Sequence, residues 1–503
     1  MEKFERHGYW WRPEDPKTQI AGVLTFDPMT GTRLTLIGDL FNGESKIGII
    51  IGNTNELYGN VTLYNVTPAN TNTDLTDERV TLYNLTVTHE TYNSSYRGAT
   101  YYVEAVFTGR HFATKQALLF SELYLRFTNI EEWFNTSSFS GDVQTNPDTL
   151  EVIGANIVYQ TPKAETYSLD SFTISFVSAL SGMDNPLSLR FVWGEWKDFW
   201  KIGLKQITVI KMVFNTPTLF DDIRTNVIPD LTNLLSLGVG SDIYSLGLHA
   251  TAWVSTYDDN DGKVDKESEF DAVNIYYTSK NKSSESADIE SRNMFFRYSD
   301  VKPFFQNFLQ QWFDTAARMR PVFDLFFGIY YPESVPTYFA FLTMAQAIEA
   351  YHRRKSNGQF ISVEEYSPVL NEIVTHIPAD LSNDHKNRLS GLLKYGYEYS
   401  LRRRLKDILE EIKASYPDVL EKLFGDPKQV KQFIGEVVDT RNYLTHYNAT
   451  DDNSRFADSK SQLVLFWKLR SLLQLLFYHD LGFPTDLVTE LAARNRRLRS
   501  TLW

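Results

Sequence analysis

The hydrophobic pattern of this chain changes period once, near Val301, and that change divides it into two differently built parts. Before it, short β-branched or aromatic runs recur between turn signals, as strands do. They fall at 19–26, 33–37, 46–51, 60–66, 79–87, 100–108, 172–177 and 187–192. Asp27, Pro28, Gly31 and Asn53 supply turn chemistry between them. After it, Phe304, Phe305, Phe308, Leu309, Trp312 and Phe313 follow the i, i+3/i+4 spacing of a helix with one apolar face. The expected class is therefore α+β. Residues 1–300 should form a β-rich domain, sandwich-like or a pair of packed sheets, and residues 301–503 an all-α bundle. One helix, 217–237, should interrupt the strands, which resume at 246–255 and 272–278. In the second part, helices are expected at 336–355, 362–375, 384–394, 397–413, 427–447, 460–479 and 483–498. The polar, Ser-rich stretch 280–290 is the best linker candidate.

Composition narrows the chemistry. The chain has no cysteine, which removes disulfides, thiolate metal sites and cysteine nucleophiles together and fits a reducing cytoplasm. The opening MEKFERHGYWW has neither the basic nor the apolar region of a secretory signal. No apolar run reaches the roughly 18 residues that a spanning helix needs, so no membrane partner is expected. The net charge of −13 hides an asymmetry. Residues 1–300 hold 24 basic and 39 acidic side chains, whereas residues 301–503 hold 26 and 24. A phosphate-binding surface needs local positive charge, so the second part is where one can form.

The helix starting near Pro427 is well marked. Asp426 suits the N-cap, and Pro427 suits a first turn whose N–H would have no helical partner. Val430, Ile434, Val437 and Leu444 form an apolar stripe, and Arg441 falls on it where an apolar residue is expected. A charge there needs a partner or a cavity. Asn442 and His446 are four apart and share a face. Arg441 and His446 are five apart, about 140° around the helix, so one helix brings them together poorly. An Arg five residues before a His occurs once in the chain. On local features alone, a surface Arg and a satisfied His in a helical bundle remain an alternative.

The string Thr440–Tyr447, TRNYLTHY, resembles the R-N-x3-H signature of HEPN domains, which are α-helical bundles. FAFLTMAQAIEAYHRR, at 339–354, resembles the first helix of the HEPN domain in the ApeA family. The opening GYWW…AGVLTFDPMTGTRLTLIGDLF resembles that family's β-rich N-terminal domain. The resemblance implies a homodimeric, metal-independent RNase that combines the Arg–His sets of two protomers. It further implies anti-phage defence by damaging host RNA, with tRNA as a substrate and a phage-encoded protein as a possible trigger.

Chemically the set is coherent. The 2′-OH of RNA can attack its neighbouring phosphodiester without a metal if a group titrating near neutrality moves the proton, and His is suited to that. Arg offers planar, permanently charged donors to the developing phosphorane. Arg441, Asn442 and His446 are the expected catalytic residues, with no metal and no cofactor. Glu349, His352, Arg353, Arg402, Arg403 and Tyr447 are candidates for contact with RNA. For Glu349 and His352 the competing reading is a salt-bridged surface, and for Arg402-Arg403-Arg404 and Arg494-Asn495-Arg496-Arg497 a solvated basic face. Asp258 to Gly262 resembles part of a calcium loop, but Tyr257 and Ser268 fall where ligands are required, so it reads as a turn. Trp10 and Trp11 read as β-domain core. Two rivals stay open: a HEPN module that binds a partner or nucleotide without catalysis, and a β-sandwich binding protein with a helical dimerisation domain.

Overall fold

The computed structural model describes the chain except residues 1–2, 14, 29, 39, 41–53, 63–76, 93–96, 113, 136–138, 150–151, 160–163, 181–190, 193–200, 203–205, 253–270, 278–288, 330–334, 379, 447–457 and 495–503. The strand expected at 46–51, the Asp258–Gly262 turn and most of the 280–290 linker lie outside the described residues. Two compact units form: residues 1–236 with 243–289, and residues 237–242 with 290–503.

Among the described residues the first unit holds two hairpins, β8 (Phe139–Thr145) with β9 (Val152–Tyr159) and β12 (Phe191–Val192) with β13 (Lys201–Ile202), and one antiparallel sheet of 12 strands on which it is built. Six of them close on themselves: β1 (Phe4–Arg12), β2 (Asp15–Asp27), β3 (Gly31–Leu36), β6 (Arg97–Thr108), β5 (Asp77–Tyr92) and β4 (Thr54–Thr62), which returns to β1. β6 makes the closure possible. One edge pairs with β5 along its length, while the other is shared, residues 99–103 with β3 and residues 105–108 with β16 (Asp271–Tyr277). From β16 the sheet continues through β15 (Ser245–Ala252), β7 (Leu119–Phe127), β14 (Gln206–Leu219) and β11 (Phe172–Leu180) to β10 (Glu165–Ser168). Trp10, Leu24, Leu34, Leu36, Leu82, Tyr101 and Val103 form a buried cluster on the ring strands. A Cβ at Gly22 would lie 2.6 Å from Leu36 Cδ2 and 2.7 Å from the Thr35 carbonyl, so only glycine lets β2 and β3 approach there.

The α+β class is as expected, but the two stacked sheets are one sheet curled into a ring with an extension. Alternation marks which side chains face inward; it does not specify which distant strands meet. The interrupting helix also starts later than expected. Pro217 belongs to β14, beside a register irregularity between Val213 and Thr218 where a missing N–H is tolerated, and the helical run begins at Phe220.

The second unit is helical. After a short helix, Tyr298–Val301, come α1 (Phe305–Arg318), α2 (Arg320–Phe327), α3 (Thr337–Lys355), α4 (Val363–Thr375), α5 (Asn383–Leu393), α6 (Leu401–Ser415), α7 (Pro417–Phe424), α8 (Pro427–His446), α9 (Ser459–Asp480) and α10 (Thr485–Arg494). α9 is buried on most of its surface, from Leu465 to Tyr478, and packs along α3. A helix apolar nearly all round belongs at the centre of a bundle. Phe323, Phe326 and Phe477 pack ring on ring, as do Phe296, Tyr478 and Phe483.

Candidate active site

α8 carries the Arg–Asn–His string in its last two turns. Its start is fixed as the sequence suggests: the Asp426 carboxylate accepts from the N–H groups of Lys428 and Gln429 at 2.8 and 2.9 Å. The Gln429 side chain in turn accepts from the Asp426 N–H at 2.9 Å. Such reciprocal bonds satisfy donors that the first helical turn leaves free. Phe433, Ile434, Val437, Thr440 and Leu444 are buried and set the rotation of the helix against α3, α6, α7 and α9.

That rotation decides where the motif points. Asn442 and His446 are both exposed, consistent with their four-residue spacing. Arg441 lies at the edge of the buried stripe, with its side chain 36% exposed. Its charge finds a partner on α3: Arg441 Nη2 is 3.4 Å from Glu349 Oε1. Arg441 Nη1 also reaches Asn442 Oδ1 at 3.4 Å, and Thr445 Oγ1 donates to the Arg441 carbonyl at 2.7 Å. Among the described residues the His446 side chain makes no hydrogen bond or ion pair, so one protomer does not join it to Arg441. Tyr447 lies outside the described residues.

The candidates for RNA contact separate into different environments. Glu349 is the counter-ion of Arg441, the salt-bridged alternative the sequence left open. Arg353 is exposed and pairs with Glu398 at 2.7 Å. His352 corrects the surface expectation: it is 5% exposed, edge-on to Tyr399, with Nδ1 3.4 Å from Arg404 Nη1 and Nε2 3.5 Å from Asp407. The stripe Phe341, Ala345, Ile348, His352, all buried, carries it inward. The three consecutive arginines likewise do not form one basic face, because successive residues on a helix point about 100° apart. Arg402 is exposed, and Arg403 pairs with Asp407 at 2.9 Å. Arg404 is buried, donating to the carbonyls of Tyr399 at 3.0 Å and Gly358 at 3.3 Å. In the other basic cluster, Arg494 binds Asp300 at 2.7 Å, and residues 495–497 lie outside the described residues.

Burial lowers the His352 pKa, Arg404 lowers it further, and Asp407 pulls only partly the other way. The folded state therefore binds this proton less readily than the unfolded chain. Its contribution to stability is complete above the unfolded value, about pH 6.5, and is lost as pH falls through the folded value. Thermal melts should show stability declining on acidification below neutrality, with a shallower decline in His352→Gln. Equal slopes in the two proteins would contradict this assignment.

Sequence reading also passed over a charge cluster between α3, α6 and α9. Donor atoms of Glu411, His479 and Asp480 lie within 4.8 Å of one another. Lys355 Nζ already stands among them, 2.5 Å from Glu411 and 2.9 Å from Asp480, with the Tyr351 hydroxyl 3.0 Å away. Burial works against the Asp480 carboxylate, but the neighbouring His479 ring, 3.6 Å away, and bonds from Lys355 and Tyr351 outweigh it and lower its pKa. A lysine ammonium thus fills the position a cation would take, and the cluster reads as a brace between helices.

Two family models match the chain: ApeA N-terminal domain 1 over residues 5–312 and Apea-like HEPN over residues 342–487. The second match contains most of α3 and all of α8, and with them Glu349, Arg441, Asn442 and His446. No curated protein and no solved structure matches.

Proposed function

The chain belongs to the ApeA family and carries an Apea-like HEPN domain, and from that premise we propose that it is a metal-independent endoribonuclease whose catalytic residues are Arg441, Asn442 and His446. The observation that carries the reading is the presentation of Asn442 and His446 on one exposed face of α8, beside an Arg441 held by Glu349. His446 takes the proton from a ribose 2′-OH, and the 2′-oxygen bonds to phosphorus. The P–O5′ bond breaks, and the 5′-oxygen leaves as a hydroxyl after taking a proton from water. Arg441 neutralises charge on the phosphorane, and Asn442 orients the imidazole or binds a phosphate oxygen.

The site is read as belonging to two copies, because about 140° of helix separates Arg441 from His446 and an isologous dimer places α8 twice beside one axis. On this reading the protein acts in the cytoplasm, in abortive defence against phage. Host RNA is the substrate, tRNA the class first to be tested, and a phage-encoded protein the trigger. The acidic β-rich unit senses that trigger or restrains the nuclease. Among the described residues no helix is long and apolar enough to cross a membrane.

Because proton transfer and charge stabilisation both come from side chains, cleavage should survive EDTA and leave 2′,3′-cyclic phosphate ends. Loss of cutting in chelator with recovery in magnesium would overturn this mechanism.

A further inference from the structure

Two surfaces of the helical unit have no counterpart among its described residues, and their chemistries match. The first is the pair α4–α5, in which no residue is buried. Of the fourteen large exposed hydrophobics among the described residues, seven fall between 360 and 395, including Phe360, Val369, Ile373 and Leu392, the last 70% exposed. Tyr366, whose hydroxyl donates to the Leu393 carbonyl at 2.6 Å, is half-buried, as are Leu370 and Val374. Another face of α4 presents Val369 and Ile373 flanked by Glu365 and Glu372. Residues 363–393 hold five carboxylates and two basic side chains.

The second surface is an open groove of about 680 Å³ between α6, α7 and the first turns of α8. Its floor is aliphatic, made of Leu409, Leu420, Val430 and Ile434. Its rim carries four basic side chains, Arg402, Lys406, Lys413 and Lys431, and three acidic ones, Glu410, Glu421 and Asp426, the last engaged in capping α8. Lys406 is 3.7 Å from Glu410, whereas Arg402, Lys413 and Lys431 have no ion-pair partner among the described residues. From Arg402 to Lys413 the rim spans about 16 Å, and α4 is about 20 Å long. An amphipathic helix with acidic flanks is the occupant such a groove suits. A nucleic-acid strand suits it less, because among the described residues no aromatic ring lines it on which a base could stack.

We propose that the α4–α5 hairpin of one copy docks in the α6–α7–α8 groove of a second copy, α4 laying Val369 and Ile373 on the aliphatic floor with Glu365 and Glu372 against Lys413 and Lys431. This deepens the two-copy reading above by naming the surfaces that hold the copies together. Two-fold symmetry makes the contact twice and closes the assembly.

Reversing charge on either side tests it in the full-length protein, with mass by light scattering as the readout. Glu365→Lys with Glu372→Lys, or Lys413→Glu with Lys431→Glu, should each weaken self-association about 10-fold or more. A chain bearing all four changes should recover it, which a folding defect would not. Unchanged association in both double variants overturns the contact while leaving the two-copy active site standing; a monomeric wild type overturns both. If the groove variant self-associates normally but loses affinity for a single-stranded oligoribonucleotide, the groove is a nucleic-acid surface and the proposal fails.

Discussion

His446→Ala should lower RNA cleavage by about 10²–10⁴-fold, the range in which a positioned proton-transfer group acts. Arg441→Ala should cost about 10²–10³-fold, the range for losing one charge-stabilising donor. Asn442→Ala should cost about 10-fold, as one lost hydrogen bond does. Stability should hardly change. His446 is exposed and its side chain makes no polar bond among the described residues, so its removal should stay within about 0.5 kcal/mol. Arg441→Ala releases Glu349, which is 27% exposed and therefore open to water, and a pair at this depth contributes up to about 1 kcal/mol. Initial rates on total RNA, with urea denaturation of each variant, check both halves. Wild-type cutting by His446→Ala would remove the residue from the mechanism.

Mixing the two inactive proteins should restore activity. An Arg441→Ala chain keeps His446, an His446→Ala chain keeps Arg441, and a mixed dimer holds one of each across its axis. With random exchange about half the dimers are mixed, so recovery to a sizeable fraction of wild type is expected from partners that are each nearly inert. The geometry of a single chain motivates this: Arg441 faces Glu349 on α3, while His446 stands at the far end of the last turn with no partner among the described residues. Full activity in a protein that stays monomeric at micromolar concentration would rule out a shared site.

Local signals predicted local structure closely. The start of α8 was readable because Asp426 and Pro427 act within one turn, and their capping bonds are present. The short helices α2 and α7 went unanticipated because eight residues hold only two turns of periodicity, although Pro417 at the start of α7 was a usable signal. His352 reads as a surface residue from its spacing to Glu349, whereas the buried stripe Phe341, Ala345, Ile348 leads it inward. Closure of the β-ring was not legible, since it depends on how β6 divides one edge between β3 and β16. The pairing of Arg441 with Glu349 was likewise hidden, because it joins two helices 92 residues apart whose relative rotation is set by packing.

The most direct test is to incubate the purified full-length protein with RNA in EDTA and determine the chemistry of the new ends. Fragments with 2′,3′-cyclic phosphate and 5′-hydroxyl termini from wild type, absent with His446→Ala, are the expected result. Equal cleavage by both proteins, or cutting that requires added magnesium and leaves 3′-hydroxyl ends, would contradict the assignment of this chemistry to α8.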